Sequence, residues 1–102
     1  MIHVIARIEV KEGKLDEFLA IFKANIPNVI AEKGCHGYTP CLDVATGLPP
    51  QVNYNAGCVT ILECWESREH LAAHLATPHM IRYGEAVKEL VKNMELTVVT
   101  PA

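Results

Sequence analysis

The chain has 102 residues, half of them hydrophobic, with nine Lys and Arg against twelve Asp and Glu. That length suits a single domain, residues 1–102, with a real core built mainly of aliphatic side chains. A net charge of −3 without a basic cluster argues against nucleic acid, which needs cations to neutralise phosphates, and no run approaches the roughly 18 apolar residues of a membrane span.

Residues 2–10 alternate Ile2, Val4, Ala6, Ile8 and Val10 with His3, Ile5, Arg7 and Glu9, which predicts a strand with one face reserved for a core. No basic segment precedes an apolar one, so this start does not read as a signal peptide. A turn around Gly13 leads into a long helix whose Leu15, Phe18, Leu19, Phe22, Ile26, Val29 and Ile30 make one apolar stripe. Asp16 and Glu17 in its first turn and Lys33 in its last suit the helix dipole. Gly34 is the stop, and Pro27 predicts a kink or a break into two helices. Residues 36–44 read as a second strand, which Pro40 confines to an edge or a bulge. A long loop, 45–55, precedes the apolar third strand, 56–65. Ser67 is a natural N-cap for a short helix carrying Leu71 and Leu75. Thr77-Pro78 ends it and starts the last helix, from 78 to about 92. Residues 94–100 form a final β-branched strand.

This order is that of a split βαβ, ferredoxin-like α+β domain: a four-stranded antiparallel sheet with helices on one face. The other face then carries Ile5, Thr60, Leu62 and Cys64. Its apolar character predicts a homodimer joined sheet to sheet about a two-fold axis.

Chemistry-bearing residues concentrate between Glu63 and Tyr83. Strand parity puts Glu63 and Trp65 on the face of Val59 and Ile61. With that face toward the helices, a carboxylate and an indole line the space between the layers. His70 and His74, at i and i+4, share a helix face turned toward it. Carboxylates beside imidazoles in apolar enclosures have tuned proton affinities, so Glu63, His70, His74 and His79 are candidate acids and bases. The plainer reading of Glu63 is a tether for a helix end or a histidine. Trp65 serves either as a stacking wall for a planar ligand or as core. Tyr83, His36 and Tyr38 are candidates for the cavity lining and rim. The histidine spacing resembles helical zinc sites, but the helix breaks before His79 and no H-E-x-x-H is present, so no metal site is expected. Neither a catalytic serine motif nor a dinucleotide fingerprint occurs, so no flavin or nicotinamide cofactor is expected. Cys35, Cys41, Cys58 and Cys64 form no C-x-x-C pair and read as free thiols of a reducing cytoplasm.

Glu63-x-Trp65-Glu66-Ser67, His70-Leu71-x-Ala73-His74-Leu75 and Thr77-Pro78-His79-Met80 together resemble the antibiotic-biosynthesis monooxygenase (ABM) family, nearest its quinol monooxygenases. The resemblance extends to Gly34-Cys35-His36-Gly37-Tyr38-x-Pro40 and Tyr83-x-Glu85-Ala86-Val87-Lys88, and covers essentially the whole chain. It implies a dimeric α+β barrel with one pocket per subunit between sheet and helices. It also implies oxidation of quinols or polycyclic phenols by O2 without metal, flavin or haem. Trp65 matches a pocket tryptophan of the aromatic-polyketide members. Their asparagine is Ile61 here and their tyrosine Leu71, which counts against that particular chemistry. Ala6 and Gly84 stand where the haem-degrading branch has its asparagine and axial histidine.

These readings lead to one expectation: a cytoplasmic, cofactor-independent monooxygenase that oxidises a quinol or related phenol with O2. The substrate stacks on Trp65 while a His74 or Glu63 base, with His70 or His79, removes a phenolic proton. Two other functions share the scaffold. One is a module that binds or senses a small aromatic without turnover. The other is an isomerase of a small phosphorylated sugar, which would need cations near the pocket.

Overall fold

The computed structural model describes all of residues 1–102. In chain order the elements are β1 (Ile2–Val10), α1 (Leu15–Ile30), β2 (Cys35–Leu42), β3 (Cys58–Trp65), α2 (Arg68–Leu75), α3 (Pro78–Val87) and β4 (Val91–Val99). The strands form one antiparallel sheet in the order β2-β3-β1-β4. Helices lie on one face, so the architecture is the split βαβ expected from the element order.

Period-two patterning explains which face is covered. Val4, Ala6 and Ile8 of β1 are buried, as are Val59, Ile61 and Trp65 of β3. Register joins them into rungs: Tyr38–Glu63–Val4–Val98, then Pro40–Ile61–Ala6–Leu96, then Leu42–Val59–Ile8–Met94. The α1 stripe brings Phe18, Phe22 and Val29 down onto these rungs. The helices pack over β2 and β3, and β4 overhangs, leaving Met94, Leu96 and Val98 exposed on the helix side. On the reverse face Ile5 is 41% and Leu62 49% exposed, and Thr60 and Cys64 are half-buried.

Several boundaries differ from the sequence expectation, each for a local reason. α1 runs unbroken through Pro27. The proline forfeits one backbone bond, while Ile26 and Val29 on either side stay packed on the core. No base lies in the last turn of α1, because Lys33 falls beyond its end. β2 stops at Leu42, since Asp43 turns to accept two bonds from the Arg7 guanidinium, at 2.9 and 2.7 Å. β3 starts only at Cys58, after Asn55 closes a turn onto the Gly57 and Cys58 amides. Pro40 is tolerated because β2 is an edge strand. α3 ends at Val87 rather than near 92. A tight turn carries the chain to Val91, which pairs with Val10 in the sheet.

Gly34, after α1, has φ +85°, and a Cβ there would lie 2.4 Å from the His70 ring. Both the backbone sign and the space require glycine at this position. Ser67 caps α2, accepting from the His70 amide at 3.2 Å.

Candidate active site

Between the helices and the sheet lies a cavity of about 390 Å3, within the ~300–1,000 Å3 range of small-molecule sites. Its walls are mostly apolar: Ile61, Ala6, Phe22, Met80, Val87 and Leu96 among them. Glu63, His74, Tyr38, Tyr83 and, at the rim, Lys88 are its polar contributors. The overhanging β4 forms the mouth, where Met94 and Leu96 are exposed.

His74 is the best buried of these polar groups, at 1% exposure. It lies near the end of α2, and Thr77 fixes that end by donating its hydroxyl to the His74 carbonyl at 2.8 Å. The ring packs on Trp65 (centroids 4.5 Å apart) and edge-on to Tyr38 (5.5 Å). Its Nδ1 donates to Oε2 of Glu32 at 2.7 Å. That bond sets the tautomer, leaving the Nε2 lone pair without a protein partner on a ring that lines the cavity. A carboxylate behind a histidine also stabilises the imidazolium formed when that histidine takes a proton.

Glu63 is held between Tyr38 and Val4 in its rung. One of its oxygens accepts the Trp65 indole N–H at 2.9 Å. Burial pushes its carboxyl above the usual range, opposed by the Trp65 bond and by neighbouring His74. Burial likewise pushes the Tyr38 and Tyr83 hydroxyls far above the ordinary phenol range, so both remain neutral donors. The aromatic wall continues from Tyr38 to Phe22 (5.3 Å, nearly parallel) and on to Tyr83 (5.8 Å, edge-on).

The structure therefore brings together His74, Glu63, Tyr38 and Tyr83 at the cavity, and it places the four other candidates, Trp65, His70, His36 and His79, away from its lining. Trp65 faces the helices but does not border the cavity. It is 0% exposed, sealed behind His74 and Glu63, because the short α2 folds directly over the end of β3. His70 turns away, its Nδ1 2.7 Å from the Ser67 hydroxyl and its ring against Gly34. At the first turn of α2 its side chain is taken up by the cap. His36 is on the surface, paired with Glu66, because the register slips between Cys35 and Gly37 and leaves it outside the rungs. His79 sits just outside the cavity, its Nε2 3.1 Å from the same Glu32 oxygen that holds His74. No three His, Cys, Asp or Glu side chains converge as a metal-ligand set.

Glu32 is the residue that sequence reasoning missed. It lies 42 positions before His74, so no local motif links them. One signal exists: an acid just beyond a helix C-terminus opposes the dipole and calls for another partner. Among the cysteines only Cys58 is buried, and all four are free thiols. Burial pushes the Cys35 and Cys58 thiols up, which makes them poor nucleophiles.

Comparison with known proteins agrees with this architecture. The family profile described as "Antibiotic biosynthesis monooxygenase" matches residues 1–86. A curated relative, "Probable quinol monooxygenase YgiN" of Escherichia coli K12, is 41% identical over 107 aligned positions, covering 99% of this chain and 98% of that protein. Among solved structures, Rv0793 from Mycobacterium tuberculosis superposes with a TM-score of 0.82 at 26% identity, covering 99% of this chain and 94% of that one. A conserved protein from Methanosarcina mazei Go1 gives 0.82 at 25% identity, covering 96% and 89%. No helix is long and apolar enough to cross a membrane. With the fold, the pocket between sheet and helices and the family profile in agreement, the chain belongs to the antibiotic biosynthesis monooxygenase family.

Proposed function

We propose that the protein is a cofactor-independent monooxygenase acting on a quinol or related phenolic aromatic with O2. The observation that carries this reading is the Glu32–His74 pair. A buried carboxylate holds one ring nitrogen, and the other is left toward an apolar cavity of a size suited to a two-ring aromatic. The likeness to a curated quinol monooxygenase supports the substrate class.

For a naphthohydroquinone the overall change is one quinol plus one O2 giving one hydroxynaphthoquinone and one water. His74 Nε2 removes a phenolic proton, and the electron-rich anion gives one electron to O2. The resulting superoxide and ring radical join through a new carbon–oxygen bond, and the His74 imidazolium returns its proton to the outer oxygen. Loss of the ring C–H proton, with cleavage of the O–O bond and departure of hydroxide, leaves the new carbonyl; proton and hydroxide together make the water. The two electrons that reduce the peroxide bond come from the substrate, so no external reductant enters. Glu63, with one oxygen free of the indole and its carboxyl pushed up by burial, binds the second hydroxyl and serves as the second proton carrier. Phe22, Tyr38 and Tyr83 orient the ring, and the apolar walls exclude water. Orientation and a positioned base are the protein's contributions, the base worth about 10²–10⁴-fold.

Lys88, at the rim, is the only Lys or Arg bordering the cavity, and Glu63 would repel a phosphate deeper inside. Both features disfavour a phosphorylated sugar. The free thiols fit a reducing cytoplasm, and the exposed Ile5 and Leu62 fit a homodimer through the open sheet face. The test is His74→Ala, assayed for O2 uptake with a naphthohydroquinone and for anaerobic quinol binding. Loss of turnover by about 10² or more with binding retained is expected. Binding with no catalysed uptake by the parent protein would replace the enzyme with a binding module.

A further inference from the structure

We propose that Lys88 determines substrate specificity by pairing with an acidic substituent at the outward end of the quinol. The substrate class is then a hydroquinone that carries a carboxylate away from its two hydroxyls. The inference deepens the quinol reading and rests on it for the placement of the phenolic ring.

The cavity is polar at its two ends and apolar between them. At the inner end His74 and Tyr38 are buried, and Glu63 and Tyr83 are half-buried. Ile61, Met80, Val87 and Leu96 line the stretch between. Lys88 stands at the other end, directly after Val87, where α3 stops. An anionic substituent has no place inside. It would be stripped of water there, with Glu63 in the lining and the Glu32 carboxylate 2.7 Å behind the His74 ring. At the mouth it keeps part of its hydration and meets the one Lys or Arg that borders the cavity.

The Lys88 ammonium is available for that task. Its one ion-pair partner is Glu85, three residues earlier, at 3.7 Å, with both side chains largely exposed. Such a pair contributes little and yields readily to a bound carboxylate. A lysine also lays its aliphatic stem on apolar surface while its head stays in water. Lys88 can therefore flank the hydrocarbon part of a ligand and cap its charge. A ligand matched to this cavity is a phenol at one end, hydrocarbon in the middle and an anion at the other end.

The test compares 1,4-dihydroxy-6-naphthoate, whose carboxylate lies on the ring away from both hydroxyls, with its methyl ester, which keeps the ring and removes the charge. O2 uptake and anaerobic binding are measured for both. The parent favours the acid by about fivefold in kcat/KM. The preference resides in KM rather than kcat and shrinks as salt is raised. Lys88→Met keeps an unbranched stem without the charge and brings the acid-to-ester ratio to about one or below, whereas Lys88→Arg retains the preference. Each ratio is taken within one protein, so a general loss of activity or folded fraction cancels. A parent ratio near one or below, a preference that survives in Lys88→Met, or one lost equally in Lys88→Arg overturns the proposal. Turnover of both compounds without preference removes the role of Lys88 and leaves the quinol reading standing. A parent that consumes O2 with neither compound overturns the quinol reading instead, and the anaerobic binding ratio then decides whether Lys88 selects an acid.

Discussion

Glu32→Gln isolates the electrostatic part of the site, because the two side chains have nearly the same shape and only the charge is removed. Glu32 holds His74 Nδ1 at 2.7 Å and does not border the cavity, so substrate binding should be spared. In the proposed mechanism an imidazolium forms against that carboxylate as His74 takes the phenolic proton. Two unit charges with centres about 4 Å apart at an effective dielectric of ~20 attract by about 4 kcal/mol. At a transition state where the proton is roughly half transferred, about 2 kcal/mol of that is realised, which is near 30-fold in rate. The amide can also present its NH2 to Nδ1, favouring the tautomer whose Nε2 is protonated and useless as a base. That pushes the loss toward about 10²-fold. The assay is steady-state O2 uptake against naphthohydroquinone concentration, with anaerobic quinol binding alongside. A kcat within about threefold of the parent, or a raised KM at unchanged kcat, would refute the view that Glu32 works through His74.

Other substitutions test neighbouring claims. Trp65→Phe removes the indole N–H from the buried Glu63 carboxyl and should cost about 1.5–3 kcal/mol in chemical denaturation. KM should change by less than about threefold, since Trp65 does not touch the cavity; a large KM change at unchanged stability would restore the stacking-wall role. Glu63→Gln should stabilise the fold, and more so at higher pH. The folded carboxyl is raised by burial, so the folded state binds its proton more tightly. The native contribution of Glu63 is then greatest below the unfolded carboxyl range and is lost as pH rises through the raised value. Melting curves of parent and variant that stay parallel from pH 4 to 8 would contradict this. Leu62→Lys places a charge at the centre of the reverse sheet face, where the single chain leaves Leu62 half-exposed and tolerates it. Sedimentation should report a monomer in place of a dimer, and an unchanged sedimentation profile would locate any dimer contact elsewhere.

What the sequence determined by itself follows from periodicity and local chemistry. The alternation in β1, the stripe of α1, the Ser67 cap and the Thr77-Pro78 junction are each written within a few neighbouring residues, and they suffice for the element order and the split βαβ topology. The same local signals place Glu63 inward and Ile5 and Leu62 outward, because strand parity is a property of the chain alone. The tertiary structure decided what lies beside what. His70 and His74 share a helix face in sequence, but α2 sits so close to the end of β3 that only His74 reaches the cavity, while the Ser67 cap takes up His70. Trp65 became buried core behind His74 and Glu63 rather than a cavity wall for the same reason. Glu32 entered the site from 42 residues away, through the path of the chain after Gly34. Side-chain proximity across such a span depends on how helices dock on a sheet, a sum of many weak packing contacts that no short motif records.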